Sequence, residues 1–251
     1  MPKNLRTETT GEKPSPQTGA KVDSPSTLPP PVARYFAYAL AEGQKLIHSV
    51  TLIQRGELRT GVDSGKWLPF SAHQQIFPQS RSFQWKARIS LPLGAHIQVT
   101  DSYIDGRGAG QVRLCSLLPL GREKPTPELD SGALYRFLAE AVWFPTALLP
   151  QAGVEWQAID DHSALATLND RGTSVSLVFR FDERDEVCRI YTPGRFGKFK
   201  DGYRKVPWEG RFSDYRLCDG VRVPFYGEVG WYVDDRLQLV WKGRVDKVRY
   251  N

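Results

Sequence analysis

The chain has 251 residues, 40% hydrophobic and 25% charged, with a formal net charge of +6 at pH 7. That composition excludes a wholly disordered chain. No apolar run approaches the ~20 residues a helix needs to cross a bilayer. The mild basic excess favours anionic partners only weakly. Three widely spaced cysteines, Cys115, Cys188 and Cys218, form no C-x-x-C pair and are expected to be reduced and packed. The polar N-terminus carries no apolar segment with a small-residue cleavage site, which points to a cytoplasmic protein.

Residues 1–28 are rich in Pro, Ser, Thr and charge, with Leu5, Val22 and Leu28 as their large aliphatics. Such a stretch buries too little surface to offset its ordering entropy and is expected to be a disordered tail. Residues 29–251 are expected to form a single β-rich domain. It opens on a proline run, with Val32, Phe36, Ala39 and Leu40 at helical spacing and Gly43 as the stop. A second helix carries Leu134, Phe137, Leu138 and Ala141 on one stripe. Asp130 or Ser131 is placed to cap it, and Pro145 ends it.

Most other segments alternate apolar and polar residues with period two, as one-sided antiparallel strands do. The segments lie near 46–58, 66–77, 83–91, 95–105, 110–118, 153–159, 163–169, 173–182, 186–192, 209–217, 221–233 and 236–249. One of these reads as irregular, leaving about eleven strands. Asp105-Gly106, Asp170-Arg171-Gly172, Asp219-Gly220 and Asp234-Asp235 supply the turns. The expected fold is mainly β (α+β). It is a large curved antiparallel sheet, or half-barrel, with two helices against its concave face.

Seven tryptophans are spread over these segments, and Trp85, Trp231 and Trp241 have inward parity. Two readings stand side by side. The rings fill the core, or a sheet this wide leaves an apolar cavity that Trp85, Tyr103, Trp143, Trp231 and Trp241 line. Two carboxylates break the parity rule. Asp101 shares the inward parity of Ile97, Val99 and Tyr103, and Asp160 that of Val154, Trp156 and Ala158. A buried carboxylate needs a partner. Arg136 and Glu140 sit four apart on the second helix, so Arg136 can pair with Glu140 and reach an inward aspartate. The alternative puts Asp160 in a turn and Asp101 at a wet strand end.

The run Leu134–Pro150 (LYRFLAEAVWFPTALLP) resembles a signature of an uncharacterised bacterial family, a domain of unknown function. So do Val154-Glu155-Trp156, Ile159 to Ala164, Pro30 to Tyr35, Phe83-x-Trp85-x-Ala87-Arg88, Pro207-Trp208 and Asp214-Tyr215. The resemblance covers about residues 28–250 and brings no established activity with it. At the level of fold alone, the layout also resembles LolA-type lipoprotein carriers and related lipid-binding half-barrels. Those carriers work outside the cytoplasm behind a signal peptide. The resemblance therefore implies an apolar ligand here rather than a lipoprotein cargo.

No nucleophile elbow, P-loop, dinucleotide fingerprint or H-E-x-x-H occurs, and Gly106 to Gly110 joins two strands. His48, His73, His96 and His162 sit on separate segments, so no metal or other cofactor is expected. Arg195, Lys198, Lys200, Arg204, Lys205 and Arg211 form a basic stretch interleaved with Phe196, Phe199, Tyr203 and Trp208. It reads as a solvated loop anchored by its rings or as a surface for an anionic lipid; a nucleic-acid partner is not expected.

The leading expectation is non-enzymatic binding of a hydrophobic or amphipathic, lipid-like ligand. Its candidate residues are Trp85, Asp101, Tyr103, Arg136, Glu140, Trp143, Asp160, Trp231 and Trp241, with Arg136 or the 195–205 segment meeting a polar head. The alternatives are an enzyme using Glu140 with Asp101 or Asp160 as acid and base, and a protein–protein interaction module.

Overall fold

The computed structural model describes residues 28–62, 64–199 and 202–251; the expected tail, save Leu28, lies outside them. Pro30 opens the first helix, α1 (Pro30–Ala39), where a missing N–H forfeits no intrahelical bond. The helix buries Val32, Tyr35, Phe36 and Ala39.

Thirteen strands and a second helix follow among the described residues. The first wing holds β1 (Val50–Leu58), β2 (Leu68–Phe77), β3 (Ser82–Ser90), β4 (His96–Ile104), β5 (Arg107–Leu114) and β6 (Leu118–Arg122). Helix α2 (Pro127–Glu140) comes next, followed by short 3₁₀ turns. The second wing holds β7 (Val154–Asp160), β8 (Ser163–Asp170), β9 (Thr173–Phe181) and β10 (Val187–Phe199), then β11 (Gly202–Cys218), β12 (Val221–Val233) and β13 (Arg236–Tyr250). All pair antiparallel in one sheet, ordered β6-β5-β4-β3-β2-β1-β13-β12-β11-β10-β9-β8-β7.

The expected curved antiparallel half-barrel with two helices is therefore the fold, with thirteen strands rather than eleven. All twelve segments are strands, including the one read as irregular; the thirteenth, β6, is a five-residue edge strand exposed along its whole length. Its Pro119 and lack of a dry face hide it from pattern reading. The basic stretch is also no loop: β10 and β11 run on to Phe199 and from Gly202 as one long hairpin.

The turns follow the chemistry of Asp and Gly. Asp105-Gly106, Asp219-Gly220, Arg171-Gly172 and Asp234-Asp235 all have both central residues at positive φ, the type I′ pattern that suits right-twisted strands. Register shifts at Ile53/Gln54, Val229/Gly230 and Thr192/Arg195 bend the long strands and increase the curl.

Helix α2 starts a turn earlier than Asp130 suggests. Thr126 caps it by accepting the Leu129 N–H, and Pro127 takes the first position. Asp130 is instead buried and accepts the Gly108 N–H at 2.7 Å and Arg107 Nη1 at 3.0 Å, which ties the helix to β5. The helix packs on β4 and β5 at one side and on β9 and β10 at the other. It therefore fills the opening between the two wings.

Below the helix the wings touch through side chains. Tyr103 donates to Asp170 Oδ2 at 2.8 Å, Arg81 reaches Asp170 and the Asn169 carbonyl, and Arg171 pairs with Asp105 at 3.0 Å. Near β6, Glu123 receives Lys198 at 2.6 Å and Tyr203 at 3.2 Å. No helix among the described residues is long and apolar enough to cross a membrane.

Candidate functional site

The concave face is divided along its strands. Toward one end, Val50, Leu52, Ile76, Phe83 and Tyr103 join α1 and α2 in a solid core. Toward the other end, Phe70, Ala72, Trp85, Ala87 and Ile89 form a second apolar cluster with Leu58, Leu68, Ile97, Val99 and Trp241 packed against it. A polar belt runs between them. Gln74, Trp85 and Asp101 are direct register partners across β2, β3 and β4. From the same inward parity on β1, Gln54 accepts the Trp85 indole N–H at 3.0 Å.

Arg136 joins this belt from α2. Its Nε donates to Glu140 Oε1 at 2.7 Å and its Nη1 to Asp101 Oδ2 at 3.0 Å. Its plane lies over the rings of Phe83 and Trp85, 5.1 and 4.9 Å from their centroids. Gln74 donates to the other Glu140 oxygen at 2.5 Å. Burial works against the Arg136 charge, but Glu140 and Asp101 outweigh it and hold the guanidinium above its ordinary pKa. Burial raises the Asp101 pKa against the pull of Arg136. Part of the Asp101 side chain remains exposed, and Asp101 lines both the cavity and an adjoining groove.

Above the belt lies a cavity of about 500 Å³, within the range of small-molecule sites. Trp85, Asp101, Arg136, Glu140, Trp143, Trp231 and Trp241 all line it. Trp85 and Trp241 flank Phe70 at 5.8 and 5.7 Å between centroids, and Trp143 stands edge-on to Phe212 at 5.9 Å.

Two residues expected in this group lie elsewhere. Tyr103 has inward parity but sits one pleat deeper than Asp101, fully buried in the solid core. Asp160 ends β7 at the surface, where its Oδ1 accepts the His162 N–H. The register shifts between Ala158 and Asp160, so the parity carried from Val154 fails there. Hydrogen bonds from Ser163 and His162 hold its carboxyl below the ordinary range.

The structure also adds lining residues that alternation misses, chiefly Arg195, Trp208 and Phe212. Counting by twos from buried Ile190 and Thr192 turns residue 195 outward. A bulge reverses this, because Thr192 faces Trp208 while Arg195 faces Val206. Pro193-Gly194 marks the bulge in the sequence. The Gly194 N–H reaches Thr192 Oγ1 at 3.4 Å. Arg195 then points inward, over Trp208 at 4.7 Å and Trp231 at 5.4 Å, and donates to the Gly132 carbonyl of α2 at 2.9 Å. Burial first, and then repulsion from Arg136, pushes its pKa down to about 10, so it stays charged at neutral pH.

Among the described residues, no three His, Cys, Asp or Glu gather as a metal-ligand set. A family model described as a family of unknown function, DUF6920, matches residues 26–250. The chain belongs to DUF6920.

No curated protein matches the chain. Among solved structures, it is similar to a LolA superfamily protein from Nitrosomonas europaea, with 11% identity, 86% of this chain and 92% of that chain covered, and a TM-score of 0.40. It is also similar to a β-barrel-like protein of a domain of unknown function, DUF1849, from Brucella abortus. There the identity is 12%, the coverage 82% of this chain and 98% of that chain, and the TM-score 0.27.

Proposed function

We propose that this DUF6920 chain is a binding protein that holds a hydrophobic or amphipathic, lipid-like ligand between its sheet and α2. The observation that carries this reading is the cavity itself, about 500 Å³ and walled chiefly by aliphatic and aromatic side chains. Transfer of an apolar tail into it is favoured by about 25 cal/mol per Å² buried, less the ordering cost. A few polar groups gathered at one end of an apolar hollow are what orients such a guest.

The belt chemistry favours binding over acid–base catalysis. Arg136 and Gln74 occupy both oxygens of Glu140, and Arg136 occupies one of Asp101. That arrangement fixes α2 on the sheet, commits Glu140 at both oxygens and ties Asp101 by one.

Native mass spectrometry of the purified protein tests the reading. A co-purified lipid-sized mass is expected, together with saturable binding of an apolar fluorescent probe that weakens by about tenfold or more in Trp231→Ala, the loss of one aromatic wall. An empty protein whose probe binding is unchanged in folded Trp231→Ala would overturn it.

A further inference from the structure

Three guanidinium groups, Arg59, Arg136 and Arg195, and two carboxylates, Asp101 and Glu140, border the cavity, and their pairing is unequal; Arg59 lies over Trp67 at 4.6 Å and lines a neighbouring groove as well. Arg136 takes both carboxylates. Arg195 forms no ion pair among the described residues; it has one backbone carbonyl and the faces of two tryptophans. Its Nε is buried without a hydrogen-bond partner among the described residues. Withdrawing a guanidinium from water is costly unless a counter-charge replaces the lost hydration. Stacking on Trp208 and Trp231 offsets part of that cost.

The chain builds this placement deliberately. The bulge after Thr192 aims Arg195 into the hollow, and the Tyr135 hydroxyl reaches the bulge carbonyl of Gly194 at 3.5 Å. Without the bulge the same residue would face solvent with the other basic side chains of the hairpin.

We infer that Arg195 is the head-group receptor of the cavity and that the ligand is an anionic amphiphile, a single-tailed carboxylate in the simplest case. The inference rests on the binding function proposed above and adds the sign of the guest's charge. A carboxylate meeting Arg195 supplies a direct ion pair through charge-assisted hydrogen bonds, where Glu140 and Asp101 attract Arg195 from a distance while bonding to Arg136. Its tail then runs along Trp85, Ile89, Ile97, Val112 and Leu68 of the first wing and along Trp241, which packs against them. A cationic head would instead seek Asp101, whose second oxygen has no hydrogen-bond partner among the described residues, and it would meet repulsion from Arg195.

Calorimetric titration of the full chain with dodecanoate, dodecanol and dodecyltrimethylammonium separates these cases, since tail length is held constant. Dodecanoate is expected to bind at least about tenfold more tightly than dodecanol, and the cation most weakly. Arg195→Gln is expected to bring dodecanoate down to the level of dodecanol in the same variant, and Arg195→Lys to retain much of the preference. Equal binding of acid and alcohol to the unaltered protein, or tightest binding of the cation, overturns the anion inference and leaves the cavity function standing. A preference for dodecanoate that survives in Arg195→Gln also overturns it. Failure of all three probes to bind refutes the cavity function itself. The comparison of acid with alcohol on the unaltered protein decides the matter even where a variant does not fold.

Discussion

Replacing Arg136 by Met tests whether the polar belt holds the helix on the sheet. Methionine keeps an unbranched stem over Phe83 and Trp85 but removes the charge shared by Glu140 and Asp101. Breaking one partner out of a fully buried ion cluster costs about 3–5 kcal/mol. The Arg136 side chain is 21% exposed, Glu140 15% and Asp101 39%. Solvent screening at the more open Asp101 lowers the expected loss to about 2–3 kcal/mol.

For a chain of this size that corresponds to a fall in Tm of roughly 4–12 °C. The loss should depend on pH with a definite sign. Burial already raises the Asp101 pKa, and without Arg136 the main opposing influence is gone, so it rises further. A carboxyl with a raised folded pKa binds its proton more tightly in the folded state. Stability then falls as pH rises between the unfolded value of ~3.9 and the raised folded value. Urea unfolding at neutral pH and at pH ~5 measures this. The deficit of Arg136→Met should be larger at neutral pH and shrink on acidification. A loss below about 1 kcal/mol at neutral pH, or one that grows with acid, would refute the belt's structural role.

Two further substitutions probe how α2 and the wings are held. A Cβ at Gly108 would lie 2.5 Å from the Leu129 carbonyl oxygen and 2.9 Å from its carbon, both helix backbone. Gly108→Ala should therefore destabilise by about 2 kcal/mol in urea, as overpacking does. Gly65→Ala, which meets nothing within 4 Å, should leave the midpoint unchanged. Tyr103→Phe removes the hydroxyl donated to Asp170 and should cost about 1–2 kcal/mol by thermal unfolding. An unaltered Tm would show that this contact does not bind the wings.

Much of this architecture is legible from alternation, because period two fixes which face of a strand is dry. Trp85, Trp231, Trp241 and Asp101 point inward for that reason, and the four-residue spacing of Arg136 and Glu140 makes their pairing legible on the helix. Alternation says nothing about depth along a face, so Tyr103 shares the parity of Asp101 yet falls on the solid side of the belt. It also fails wherever one strand gains a residue on its partner. Asp160 lies beyond such a shift, and so does Arg195, in opposite senses: one leaves the dry face and the other joins it. The edge strand β6 was hidden because it has no dry face to betray it. Gly106 to Gly110 reads correctly as a hairpin, but only the folded chain reveals that Gly108 is small because a helix backbone lies against it.

The contacts of Tyr103, Arg81 and Asp170 join strands that are not neighbours in the ladder. In a fully closed barrel, strand number and stagger dictate the bore. Here the circumference is interrupted, and α2 with a handful of polar side chains spans the interruption. The calibre of the hollow is consequently set by residues that can be exchanged one at a time. Lengthening or shortening a bridging side chain would widen or narrow the chamber while every backbone rung of the sheet stayed in place.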